Sequence, residues 1–65
     1  MSNLIKLTRA ELREMYRDGE TPFGLLNEAV MSGHEYPDAL AMVADIAHLD
    51  KEGIDELELD YDECC

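Results

Sequence analysis

Sixty-five residues can hold one domain, and five Lys+Arg against sixteen Asp+Glu leave a formal charge of −11 and an isoelectric point near 4.2. Such a length excludes a dinucleotide-binding unit with a substrate domain, a barrel or a two-lobed enzyme. The charge opposes general affinity for nucleic acid, where Lys and Arg must replace phosphate counterions, while 46% hydrophobic residues favour a folded core over disorder.

The segment Met1 to Leu7 has too little apolar chain for a secretory signal. Thr8 followed by Glu11 forms a capping box, hydroxyl and carboxylate each accepting from an orphan amide. Leu12, Met15 and Tyr16 then recur at helical spacing until Gly19 permits a stop. A first helix is predicted over 9–18. Thr21-Pro22 opens a second, with Thr as cap and Pro where its missing N–H is harmless. Phe23, Leu26 and Val30 share a face, Leu25 and Ala29 flank it, and Ser32-Gly33 ends it. Gly24 weakens the first turn by about 1 kcal/mol relative to Ala, unless a neighbour packs closely there.

Tyr36-Pro37-Asp38 opens a third helix, along which Leu40, Val43 and Ala47 line one side and Ala39, Met42 and Ile46 broaden it. A helix apolar around most of its circumference is expected at the buried centre. Asp50 is expected to cap the last segment, where Ile54, Leu57 and Tyr61 keep helical spacing. Leu57, Leu59 and Tyr61 also alternate with Glu58 and Asp60, as in a strand, which could pair with Leu4-Ile5-Lys6-Leu7. Helix is the favoured reading. The expected fold is all-α: a small bundle of three to four short helices in one domain, 1–65, ending in an acidic segment, 50–65. A core this small contributes only a few kcal/mol, and homodimerisation could add to it.

Charge is distributed unevenly. Residues 1–17 sum to +2 and residues 18–65 to −13. Arg9, Arg13 and Arg17, spaced i, i+4, i+8, form one helical stripe. Either the stripe faces acids of the same molecule, or it docks an acidic partner or a phosphate backbone. The carboxylates Asp50, Glu52, Asp55, Glu56, Glu58, Asp60, Asp62 and Glu63 are either a solvated face or a partner-binding surface. Acids at i, i+3 and i+4 lie about 5–6 Å apart on a helix, a density that begins to imitate a phosphate ladder. A basic groove built for nucleic acid would accept such a surface.

Catalytic and metal signals are weak. A calcium loop starting at Asp50 would need Gly sixth, where Asp55 stands. His34, His48 and the adjacent cysteines lack metal-ligand spacing. No nucleophile lies beside a base in the sequence pattern, and Ser2 and Ser32 fall at a terminus and in a turn. No enzyme activity, metal or cofactor is expected. Ala39 to Leu49, interrupted by Asp45 and His48, is far shorter than the ~20 residues of a membrane span, and acidity opposes anionic lipid.

Cys64-Cys65 resembles the prenylated tail of Rab-type small GTPases over those two residues, in a chain with no Gly-rich phosphate loop and no room for a GTPase domain. Free thiols on a tail in a reducing cytoplasm are the simpler expectation. In size and acidity the chain is similar to accessory proteins of bacterial viruses, some of which inhibit host or defence nucleoprotein complexes. This similarity of type implies a non-catalytic protein that engages a basic surface of a nucleic-acid-binding partner. The alternative is an assembly adaptor working through helix-mediated dimerisation. A helix-turn-helix DNA binder is disfavoured, because Thr21 to Leu49 contains no Lys or Arg.

Overall fold

The computed structural model describes residues 6–64 and is all-α. Four helices follow in order: α1 (Arg9–Arg17), α2 (Pro22–Met31), α3 (Tyr36–Ala47) and α4 (Lys51–Cys64). No strand occurs among the described residues. The alternation through Leu57, Leu59 and Tyr61 belongs to α4, and Leu4-Ile5 of the proposed pairing strand lies outside the described residues, as does Cys65.

The helix starts follow their local chemistry. Thr8 Oγ1 accepts from the Glu11 N–H at 3.2 Å while the Glu11 carboxylate accepts from the Thr8 N–H at 2.9 Å, completing the capping box. Thr21 Oγ1 caps α2 by accepting from the Gly24 N–H at 3.1 Å. Asp50 Oδ1 does the same for Gly53 at 2.8 Å, so α4 starts on one of the acids singled out above.

Helices α1, α2 and α3 close with the same turn. In each, a residue one or two positions past the helix adopts positive φ and the next amide reaches back five residues: Glu20 to Met15 (3.1 Å), His34 to Ala29 (3.1 Å) and Leu49 to Ala44 (2.9 Å). The left-handed residue is Gly19 (φ 111°), Gly33 (φ 120°) and His48 (φ 56°). A Cβ costs about 1–2 kcal/mol in that conformation. His48→Gly is therefore expected to stabilise the bundle by about 1 kcal/mol, glycine's greater freedom when unfolded offsetting part of the relief. A urea midpoint that rises at constant slope would confirm it. An unchanged or lower midpoint would mean that the imidazole holds the turn more strongly than its backbone strains it.

The core consists of Leu12 from α1, Leu25, Leu26 and Ala29 from α2, Ala39, Val43 and Ile46 from α3, and Leu57 from α4. The centre is α2, which packs against each of the other three helices; α3, expected there from its apolar composition, packs on α1 and α2 and meets α4 through Tyr36 at its first turn. Alanine explains the difference. Ala41 of α3 is exposed and Ala44 half-buried, and leaving a methyl group in water costs little. The chain before α1 is fastened to the α2–α3 turn at Leu7. The Leu7 N–H donates to Ser32 Oγ at 3.1 Å, and His34 Nε2 donates to the Leu7 carbonyl at 2.6 Å. His34 thus ties two segments together.

Candidate partner-binding surface on the fourth helix

Folding α4 as a helix divides its acids between two flanks. At 100° per residue, Ile54, Leu57 and Tyr61 face the bundle; Leu57 is buried and the other two half-buried. Asp55, Glu58 and Asp62 fall on one side of that stripe, with Leu59 beyond them. Glu52, Glu56, Asp60 and Glu63 fall on the other side. All seven carboxylates are exposed. Asp50, also exposed, precedes the helix as its cap.

These charges are not compensated within the described structure. The ion pair found there joins Arg9 to Asp45, linking α1 to α3, and no cation pairs with an α4 acid. Like charges at i, i+4, as in Glu52–Glu56, Glu56–Asp60 and Glu58–Asp62, each oppose the helix by about 0.2–0.5 kcal/mol. Asp62 and Glu63 stand in its last turn, where the dipole favours cations. Packing therefore holds α4 in place against its own charge.

That packing is largely aromatic. Tyr61 stacks on Tyr36 of α3 with ring centroids 5.5 Å apart and meets Phe23 of α2 at 5.8 Å, within the range of favourable aromatic pairs. Burial, then the negative charges of Glu58 and Asp62, then Tyr61 push the Tyr36 phenol above its ordinary value of 10. Neutralising the first two charges in Glu58→Gln/Asp62→Asn is expected to move its ultraviolet titration midpoint back toward 10. An unmoved midpoint would mean that neither carboxylate acts on the ring. The sign for stability follows: the folded state holds this proton more tightly, so the contribution is complete below pH 10 and disappears as pH rises through the folded value.

The arginine stripe of α1 divides in two. Arg9 turns to Asp45, as the same-molecule reading anticipated, in an exposed pair worth about 0–1 kcal/mol. Arg13 and Arg17 instead line a cleft with Tyr16, Ile46 and His48. No group of His, Cys, Asp or Glu among the described residues is arranged to hold a metal ion. No helix among them is long and apolar enough to cross a membrane. Cys64 is an exposed free thiol.

With this geometry in place, comparison with known proteins gives no match: no family model, no curated protein and no solved structure. The residues that sequence reading missed at this surface are Tyr36, Tyr61 and Leu59. The two tyrosines lie 25 positions apart on different helices, and no local pattern signals their stacking. Leu59 was visible only as one member of an ambiguous alternation.

Proposed function

We propose that this chain is a small non-catalytic binding protein whose acidic fourth helix engages the basic surface of a nucleic-acid-binding protein, in the manner of an accessory or inhibitor protein. The observation that carries the reading is the set of seven exposed α4 carboxylates, none paired with a cation among the described residues. Fourteen helical residues span about 21 Å, which places one carboxylate per ~3 Å of axis, against ~3.4 Å between phosphates along one DNA strand. A groove that attracts phosphate would attract this helix.

The experiment is a capture from bacterial lysate with the tagged protein and with a variant in which Asp55, Glu56, Glu58, Asp60 and Asp62 become Asn or Gln. The expected result is a nucleic-acid-binding protein retained by the wild type alone, released by high salt and displaced by DNA. Retention of one partner by both proteins would sink the acidic-surface reading. It would favour instead an adaptor working through exposed apolar residues such as Met31.

A further inference from the structure

We propose that the groove between Tyr36 and α4 seats an arginine-bearing segment of the partner protein, gripped by an apolar floor as well as by charge. This rests on the binding-protein reading above and specifies where on α4 the partner enters and what it brings. Two shallow depressions adjoin Tyr36. One is lined by Tyr36, Asp55, Glu58, Leu59 and Asp62, the other by Val30, Tyr36, Tyr61 and Asp62. They share Tyr36 and Asp62 and so adjoin each other, with Val30 and the two tyrosines supplying the apolar floor. Leu59, 60% exposed, stands at its edge as an unpartnered apolar contact.

The rim identifies the occupant. Asp55, Glu58 and Asp62 follow at i, i+3 and i+7, spread over about 10 Å of helix. They do not converge on a point, and no metal-holding group is found among the described residues. Such spacing suits successive cationic side chains of a peptide segment and not a single ion; it repels phosphate. Arginine fits better than lysine, because a guanidinium can lie flat on a tyrosine ring while forking onto a neighbouring carboxylate. The floor and Leu59 add a requirement that charge alone would not, namely an apolar side chain beside the arginines.

The test uses a 14-residue helix-forming peptide with Arg at i, i+4 and i+7 and one Leu beside them, titrated into the whole protein in ~0.15 M salt, where screening is near physiological. Binding is followed by fluorescence anisotropy and by amide chemical shifts. Two triple variants are compared: Asp55→Asn/Glu58→Gln/Asp62→Asn on the groove side and Glu52→Gln/Glu56→Gln/Asp60→Asn on the far side. Each removes the same charge, so long-range electrostatics cancels between them. The groove triple is expected to weaken binding about tenfold or more and the far-side triple less than about twofold. Leu59→Ser, at a site too exposed to threaten the fold, should weaken it roughly fivefold. Shifts should centre on Tyr36, Leu59 and Asp62.

Equal weakening by both triples with Leu59→Ser neutral would overturn the groove and leave the acidic-helix reading standing. Failure of the wild type to bind the peptide, while the lysate capture still yields its salt-released partner, would overturn the groove alone. Failure of both would overturn the two readings together.

Discussion

Leu26→Ala is expected to leave the chain largely unfolded at 25 °C. Leu26 is fully buried in α2, the helix that touches all three others, so its side chain sits where neighbours cannot close inward around a void. Leu→Ala at such sites costs about 2–5 kcal/mol, while a core of this size supplies about 3–5 kcal/mol in total. The loss therefore matches the whole stability. Circular dichroism should show a low helical signal and no cooperative melt, and amide resonances should collapse into the narrow range of an unfolded chain. A melt within about 5 °C of wild type, a shift of only ~1 kcal/mol for a domain this small, would show that α2 is not the centre on which the bundle depends.

Leu57→Ala should act differently, releasing α4 while α1 to α3 stay folded. Leu57 is the buried residue of α4, and the other core residues all belong to the first three helices. Once undocked, α4 has little to keep it helical. Isolated helices of its length are marginal in water, and its like-charge pairs oppose it further. About a third of the helical signal should disappear, the share α4 contributes. Rapid hydrogen exchange should be confined to residues 51–64, and the Phe23–Tyr61 and Tyr36–Tyr61 contacts should vanish from spectra. The groove-binding peptide should lose its site at the same time. Uniform loss of signal across all four helices would mean that α4 is part of one cooperative unit.

The contrast between these variants also marks what sequence could and could not reveal. Helix starts at Thr8, Thr21 and Asp50 and stops at Gly19 and Gly33 were legible because each is decided within four or five residues by one hydrogen-bonding side chain or one missing Cβ. The left-handed backbone of His48 was not legible in the same way. Nothing near it in sequence marks the strain, and only the turn that Leu49 closes onto Ala44 imposes it. Composition pointed to α3 as the centre because hydrophobicity was weighed without size. The bulkier leucines of α2 occupy the middle, whereas Ala41 faces outward from α3 and Ala44 is only half-buried. The acids were visible from the start, but their division into two flanks required settling α4 as a helix. The tyrosine floor required knowing that residues 36 and 61 meet.

The three connecting turns are three or four residues long, and this brevity sets a timescale. Helices joined so closely find one another through contacts local in the chain, the topology that folds in microseconds to milliseconds. Loop closure of this size takes well under a microsecond, so helix docking and not chain search governs assembly. A molecule unfolded in passing, by a protease's pull or a brief heat pulse, regains its bundle long before a typical complex would dissociate and rebind. Exposure of its leucines to other chains is correspondingly short, and resistance to aggregation follows from the turns as much as from the charge.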